Sequence, residues 1–303
     1  MYDFKRVLVC LDLTEQDQNL IILGARLLNK NVAEKVYFFH AAEKLDLSDQ
    51  FLEKYPDLMA PVDETIKRLM QDELDQYFDA DTEKIEIKVT EGNAFDQILK
   101  WSRIKEIDLI MMGKKPKEIG SFHLPEKVVE FTHNSVLIVT SNKHDHVKKQ
   151  LVPIDFSENS SMAIHQALKV REIIGAEIVC IYIYRVPSGY HSIGKSFEEF
   201  AEIMKSNAQK EYVQFADKNG LNPDDIPCIY TLSDGDHSKQ ILEIAHNENA
   251  ELIVMGSKGR TQLSNLVLGS TAMKMVKYDF DIPLSIVKNK KENLSFLNAI
   301  LKL

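Results

Sequence analysis

A loop rich in glycine and hydroxyl residues is the part of this sequence best suited to chemistry. It spans residues 255–271 and places glycines at Gly256, Gly259 and Gly269. Glycine has no Cβ, so the chain can turn sharply there and come close to a ligand. A helix is predicted to begin at Ser270, and its free N–H groups and positive dipole end attract an anion. The spacing therefore predicts a phosphate-binding loop built mainly from backbone.

Side chains in and beside this loop extend the predicted anion site. Lys258 and Arg260 lie within the loop and can meet phosphate charge, although solvated loop cations are common. Ser270 and Thr271 supply hydroxyl donors. His237 stands at a predicted helix start near the same sheet edge and can approach a phosphate, with solvent exposure in a capping region as the simpler interpretation.

The elements that position the loop alternate between strands and helices. The predicted strands are runs of Val, Ile and Leu without polar alternation, as expected when helices cover both faces of a parallel sheet. In the second half the strands are expected at 149–154, 177–183, 226–232, 251–255 and 283–288, and the helices at 159–174, 195–219, 237–248 and 270–278. The predicted fold class is α/β.

The chain repeats itself. Lys5–Glu15 matches Lys148–Glu158, and Asp108–Gly113 matches Glu251–Gly256, both at an offset of 143 residues. Downstream of the second pair the offset is 148, so the first half lacks five residues within the segment that forms the loop in the second. The predicted domains are residues 1–142 and 147–288, joined by a polar linker and followed by a tail at 289–303. In the linker, His144 and His146 are interpreted as solvated.

Composition limits the classes of function. A length of 303 residues suits two domains, and no apolar run of eighteen residues or basic-then-apolar leader is present. The net charge of −9 argues against nucleic-acid and anionic-membrane binding, which need basic faces. Cys10, Cys180 and Cys228 lie in strand-like runs without a CxxC pair, which favours buried thiols in a reducing cytoplasm.

The two halves resemble the universal stress protein family, and the chain resembles a tandem member with two such domains. The resemblance rests on the opening strand that ends in Asp155, on the Met255-Gly256 strand end, and on the pattern G-x2-G-x9-G-[S/T] that ends at Ser270. It implies two open, Rossmann-like or flavodoxin-like sheets of five parallel strands, order 3-2-1-4-5, with helices on both faces. It also implies ATP binding, with or without Mg²⁺, in members that keep the motif.

That strand order places the ligand at the switch point between the first and fourth strands. Asp155, just beyond Pro153, should therefore lie beside Met255 and Gly256. The resemblance gives Asp155 the role of accepting hydrogen bonds from ribose hydroxyls or the adenine amino group. The alternative is that Asp155 caps the following helix. Ile183, at the end of the second strand, can support the adenine or simply belong to the core.

The first half departs from the pattern. Pro116 stands in the place of Gly259 and removes an N–H group, and Ser121-Phe122 stands where Gly269-Ser270 should be. Lys114, Lys115 and Lys117 can hold another anion, but a solvated basic loop is the preferred interpretation. We therefore expect one ATP per chain, bound in the second half. Isolated domains of the family tend to dimerise, so the first half is predicted to act as an intramolecular partner, with a homodimer of the whole chain as a further option.

The sequence predicts an ATP-dependent switch or sensor that acts on an unidentified protein partner. The alternatives are a slow ATPase or self-phosphorylating enzyme, with Ser270 or Thr271 near the γ-phosphate, and a scaffold that binds no nucleotide. No Walker A motif, Ser-His-Asp arrangement or metal-ligand spacing is present, so no catalytic residue is assigned. The connections 44–62 and 185–196 are candidate lids or partner surfaces, and the tail is expected to dock on the body or on a partner.

Overall fold

A computed structural model of the chain describes residues 4–14, 16–43, 62–78, 82–114, 124–140, 147–260, 268–278 and 281–289. The chain divides into two compact units, the first ending at Lys143 and the second running from His144 to Leu303. Some expectations concern residues outside the described ranges. They are those for 44–61, Lys115, Pro116, Lys117, Ser121, Phe122, His144, His146 and the tail at 290–303.

The first unit contains five parallel strands in the order β3-β2-β1-β4-β5. Helices and one 3-10 turn (Thr82–Lys84) connect them. In chain order its described elements are β1 (Arg6–Cys10), α1 (Asp17–Asn29), β2 (Lys35–Ala42), α2 (Val62–Leu74), β3 (Ile85–Glu91), α3 (Ala94–Ile104), β4 (Leu109–Gly113), α4 (Leu124–Phe131) and β5 (Ser135–Val139).

The second unit repeats this topology, with the parallel order β8-β7-β6-β9-β10. Its described elements are β6 (Lys149–Pro153), α5 (Glu158–Ile174), β7 (Glu177–Tyr184), a 3-10 turn (Tyr190–Ile193), α6 (Phe197–Lys218), β8 (Cys228–Leu232), α7 (His237–Asn247), β9 (Leu252–Gly256), α8 (Ser270–Lys277) and β10 (Leu284–Val287). The predicted α/β class and the strand order 3-2-1-4-5 within each half are confirmed.

Local chemistry explains where these elements begin and end. Val7, Leu8 and Val9 of β1 have no exposed surface, as expected for a central strand covered on both faces. Helix α5 ends at Gly175, whose φ of 76° terminates the helix in the left-handed conformation. Helix α6 begins with a capping box, in which Ser196 and Glu199 bond to each other's backbone N–H groups.

The repeat extends to unusual backbone angles. Leu13 and its counterpart Phe156 both lie in the left-handed region, with φ of 62° and 63°, although neither is glycine. Such a conformation costs on the order of 1–3 kcal/mol and persists only where the surroundings enforce it. Each residue directly follows the aspartate at the end of its domain's first strand, Asp12 or Asp155. The same strained turn therefore presents an aspartate at the same sheet edge in both units.

Two kinds of feature are absent from the described ranges. No helix there is long and apolar enough to cross a membrane. Nor does the described part of the chain contain a group of three or more His, Cys, Asp or Glu side chains arranged to hold a metal ion.

Candidate functional site

The carboxyl ends of β6 and β9 form the switch point of the second unit. The two strands pair through Gln150 with Leu252 and Leu151 with Ile253. Asp155 follows β6, and the glycine loop follows β9. The backbone N–H of Arg260 donates to Oδ2 of Asp155 at 2.7 Å. The structure therefore brings Asp155 and the loop into direct contact, as the strand order predicts.

Asp155 is held in place by the turn that precedes α5. Its Oδ1 accepts hydrogen bonds from Ser160 Oγ at 2.6 Å and from the Ser157 N–H at 3.1 Å. The N-cap of α5 is Ser157, whose hydroxyl accepts from the Ser160 N–H. The alternative interpretation, in which Asp155 is the residue that caps α5, is therefore wrong. Its carboxylate is fixed by the helix start and directed at the loop.

Gly256 and Gly259 allow close approach of neighbouring groups and do not form a sharp turn. Gly256, Gly259 and Gly269 are all described, and none has a positive φ, which corrects part of the reason given for them. A Cβ on Gly256 would lie 2.8 Å from the carbonyl oxygen of Asn159 in α5. A Cβ on Gly259 would lie 2.8 Å from Oδ2 of Asp155. Glycine is required here because a helix backbone and a carboxylate occupy the space that a side chain would need.

The start of α8 is open to an anion. Gly269 is its N-cap and offers no side chain, and Ser270 is the first helical residue, as the sequence predicts. The Gly269 N–H donates to the carbonyl of Ser257 at 2.7 Å and ties the helix start to the strand end. The first turn carries no acidic residue. Ser270 is exposed and Thr271 half-buried. This arrangement leaves the positive end of the helix without a compensating carboxylate.

The side chain of Arg260 is about half exposed, but it has partners within the protein. Its Nη2 lies 2.5 Å from Oε2 of Glu211 in α6, and its guanidinium lies 5.4 Å from the centre of the Phe156 ring. Phe156 in turn stacks on Tyr182 of β7 with 4.5 Å between ring centres. Burial raises the pKa of the Tyr182 phenol. The loop is thus fastened to α6 and to an aromatic pair.

A second polar cluster lies at the ends of β7 and β8. His237 Nε2 accepts from Arg185 Nε at 3.1 Å and lies 2.9 Å from Ser233 Oγ. Burial, and then the charge of Arg185, lowers the pKa of His237, so its imidazole is neutral near pH 7. His237 is half-buried, and the N-cap of α7 is Asp236. The simpler interpretation, that His237 is exposed to solvent in a capping region, therefore fits the structure poorly.

This cluster adjoins the loop. Ser238 Oγ donates to the carbonyl of Thr271 at 3.3 Å, which joins the starts of α7 and α8. Lys274 Nζ lies 3.8 Å from Oδ2 of Asp236. Helix α7, like α8, has no acidic residue in its first turn. Asp236 compensates the start of α7, so the charges that favour an anion at this edge of the sheet are Arg185, Lys274 and the start of α8.

The remaining predicted site residues lie on the strands around this edge. Pro153 ends β6 and is in register with Ile181. Ile183 lies in β7, is half-buried, and pairs with Thr231 of β8. Met255, at the end of β9, is 5% exposed. Lys258 is half-buried in the loop.

Sequence reasoning did not identify four of the residues that shape the site: Phe156, Tyr182, Arg185 and Glu211. Phe156 carried a usable signal, because it follows Asp155 directly in the strained turn. Arg185 also carried one, as a cation at the end of the second strand. Glu211 lies 49 residues from Arg260 on a long polar helix, and no local pattern distinguishes it from its neighbours.

Comparisons with known proteins agree with this architecture. The model of the universal stress protein family matches residues 3–139 and again residues 146–288. Among curated proteins, universal stress protein MJ0531 of Methanocaldococcus jannaschii is 30% identical over 160 residues, which cover 51% of this chain and 89% of that protein. Universal stress protein MJ0577 of the same organism is 26% identical over 161 residues, with coverages of 47% and 96%.

Two solved structures match nearly the whole chain. A functionally unknown protein, PA1789 from Pseudomonas aeruginosa PAO1, aligns with a TM-score of 0.69 and 12% identity, covering 99% of this chain and 98% of that one. A universal stress protein from Archaeoglobus fulgidus DSM 4304 aligns with a TM-score of 0.57 and 19% identity, covering 95% and 97%. At these identities the likeness shows the fold.

Proposed function

Because the chain belongs to the universal stress protein family, matched once in each half, we propose that its second unit binds ATP and acts as a nucleotide-dependent switch or sensor in the stress response. The observation that carries the proposal is the meeting of Asp155 with the glycine loop at the switch point. Members of the family that keep this glycine pattern are expected to bind ATP, and this loop keeps it in full.

The charges around the loop support a polyphosphate ligand. The start of α8 carries no acidic residue, and Arg185, His237 and Lys274 lie near it, although Asp236 caps the neighbouring start of α7. In the proposed complex the phosphates meet the start of α8, and the ribose meets Asp155. The adenine lies toward Ile183. Mg²⁺ would bind only together with the triphosphate.

In this proposal the switch consists of the contacts that Arg260 of the loop makes with Asp155 and Glu211. A ribose hydroxyl that donates to Asp155 competes with the N–H of Arg260, which occupies Oδ2 in this structure. Binding would therefore loosen the loop from Asp155 and disturb the ion pair of Arg260 with Glu211 on α6. ATP then favours one arrangement of loop and helix over another, and the surface of α6 presented to a protein partner changes with it.

Calorimetric titration of ATP into the full chain tests the binding site. Asp155→Asn should weaken ATP binding by roughly 10- to 100-fold, since hydrogen bonds to charged groups contribute about 1.5–3 kcal/mol. Asp12→Asn, the same change at the equivalent position of the first unit, is the matched control and should leave the affinity unchanged. A stoichiometry of one is expected. Equal loss in both variants, or in neither, would contradict the assignment.

The glycine loop is tested separately with Gly259→Val. Its Cβ would collide with Asp155 Oδ2, so ATP affinity should fall. Gly189→Ala is the control, because a Cβ there meets nothing within 4 Å. Unchanged ATP affinity in Gly259→Val would show that the loop is not the cradle.

Nucleotide extraction from purified protein separates a binding protein from an enzyme. We expect bound ATP, ADP or AMP, together with a melting temperature that rises with added ATP, because ATP binds the native state by mass action. Release of ADP at a constant rate per protein would replace the switch with a slow ATPase. No bound nucleotide and no ATP-dependent shift would leave the scaffold interpretation.

For the first unit, we propose the role of a built-in pairing partner. The full chain should then sediment as a monomer in analytical ultracentrifugation, since the pairing surface is satisfied within one chain. A concentration-dependent dimer would contradict this role.

A further inference from the structure

The first unit has a cavity of about 250 Å³ at its own switch point, between the ends of β1 and β4. Its lining includes the polar side chains of Asp12, Gln16, Asp17, His40, Lys114 and Glu126. Asp17 is 2% exposed and Lys114 is 6% exposed, so Lys114 does not belong to a solvated basic loop as the sequence suggested. The wall thus contains three carboxyl groups and one ammonium group.

Two acceptors belong to side chains that line this cavity. Glu126 Oε1 is buried and has no hydrogen-bond partner within the described part of the chain, and an unpaired buried carboxylate oxygen is costly. His40 Nδ1 lies 3.0 Å from the carbonyl of Leu11, which can only accept, so Nδ1 carries the hydrogen and Nε2 is the ring nitrogen that can accept. Asp17 is different, because its oxygens already accept from the N–H groups of Asp12 and Leu13. The cavity therefore calls for a ligand that donates hydrogen bonds.

Equivalent positions of the two units carry opposite chemistry. At the offset of 148, Glu126 takes the place of Lys274. At the offset of 143, His40 takes the place of Ile183, and Asp17 that of Ser160. The substitutions remove a cation from the first unit and add two carboxyl groups and a ring acceptor.

The helix starts follow the same division. In the first unit, α3 has Asp96 and α4 has Glu126 in the first turn. Their counterparts differ: α8 has no acidic residue in its first turn or at its N-cap, and α7 has one only at its N-cap, Asp236. Each positive helix end facing the first cavity is therefore already compensated by a carboxylate, and a phosphate gains little from it.

We propose that the first unit binds a small organic cation, an amidinium, guanidinium or protonated amine on a compact apolar body, with Glu126 accepting its N–H groups. The cavity is smaller than the roughly 300–1,000 Å³ of pockets for drug-sized ligands, which limits the body to about one ring. Leu11, Phe39 and Met112 provide the apolar wall against which that body packs. The site is independent of the ATP site proposed for the second unit.

Methionine methyl NMR on the full chain can locate each ligand. Met112 and Met255 hold equivalent positions at the two switch points, and the chain has only ten methionines, so both signals can be assigned by Met→Leu substitution. The probes are benzamidine, which is cationic, benzamide, which is neutral and of the same shape, and benzoate, which is anionic. Benzamidine should shift Met112 and leave Met255 unchanged. ATP should do the reverse.

Calorimetry with matched variants tests the role of Glu126. Glu126→Gln keeps the shape but removes the charge and should weaken benzamidine binding at least tenfold. Glu130→Gln, an exposed position on the same helix, should leave it unchanged. Benzamide should bind at least tenfold more weakly than benzamidine.

Several results would overturn the proposal. They are the absence of a Met112 shift with benzamidine, an unchanged affinity of Glu126→Gln for benzamidine, tighter binding of benzoate than of benzamidine, and a shift of Met112 by ATP. None of the first three depends on whether Met255 responds to ATP, so failure here and failure of the proposed ATP site can be told apart.

Discussion

The backbone amide of Arg260 donates to Oδ2 of Asp155 at 2.7 Å and so joins the glycine loop to a strand end 105 residues earlier in the chain. The side chain of the same arginine pairs with Glu211 on α6. Backbone and side chain of one residue therefore fasten the loop at two points. A nucleotide that uses Asp155 must release the first contact, and the second resists that release.

Glu211→Gln should therefore raise ATP affinity. The ion pair of Arg260 with Glu211 is partly exposed, and such pairs contribute about 0.2–1 kcal/mol, so the increase should be at most about fivefold. Glu202→Gln, an exposed change on the same helix with the same loss of charge, is the control in calorimetric titration. A weaker affinity in Glu211→Gln alone would mean that Glu211 helps to hold the nucleotide instead of holding the loop closed.

Gly256→Ala should destabilise the second unit through overpacking. The added Cβ would lie 2.8 Å from Cβ and the carbonyl oxygen of Asn159, so α5 must move away from β9. Overpacking of this kind costs about 1–3 kcal/mol. Urea unfolding, followed for each transition of the chain, measures the loss.

Gly113→Ala is the matched control for that substitution, because Gly113 ends β4 as Gly256 ends β9. Its Cβ would meet Gln16 Oε1 at 3.5 Å, an ordinary contact, and the free energy of unfolding should change by less than about 0.5 kcal/mol. Comparable losses in both variants would show that contact with α5 is not why glycine occupies position 256.

Much of the fold was predictable because it depends on short-range patterns. Continuous apolar runs located the strands, and a constant offset identified the repeat. Helix α6 was expected at 195–219 and begins at Phe197, because the Ser196 hydroxyl caps it. The strand expected at 226–232 begins at Cys228, just after Pro227, which lacks the N–H group needed for pairing.

The site was predicted in outline but not in its contacts. Strand order alone placed Asp155 beside the loop, since both follow strands that meet at the switch point. The partners of Arg260 were not predictable, because Glu211 lies on another helix and nothing in its local sequence marks it. The polarity of the first cavity was missed for a related reason: His40 and Glu126 are ordinary residues until the fold places them around one space.

The three cysteines should be unreactive in the native protein. Burial raises the pKa of all three thiols, that of Cys180 to about 12, so almost no thiolate is present at pH 8. We expect an aromatic disulfide reagent to titrate Cys10, Cys180 and Cys228 only after urea is added. The native reaction should be at least about 100-fold slower than that of free cysteine. Fast labelling of one thiol without urea would identify an exposed cysteine and contradict the buried interpretation.

The stability of the first unit should carry a pH dependence due to Asp17. Burial raises the pKa of this carboxyl to about 6, above its value of about 3.9 in the unfolded chain. Between those values the native state binds more protons than the unfolded state, so the free energy of unfolding falls as the pH rises. The fall approaches about 3 kcal/mol across the interval, at about 1.36 kcal/mol per pH unit.

Asp17→Asn cannot titrate and removes this contribution. The free energy of unfolding of the variant minus that of the native sequence should therefore increase from pH 4 to pH 6 and be constant above pH 7. The difference cancels the titration of groups that do not interact with Asp17. Asp12 and Glu73 do interact with it, so their titration contributes to the difference. Asp72→Asn, on the exposed face of α2, is the control substitution. A flat difference for Asp17→Asn would place its pKa near the ordinary value and show that water reaches the carboxyl in the native state.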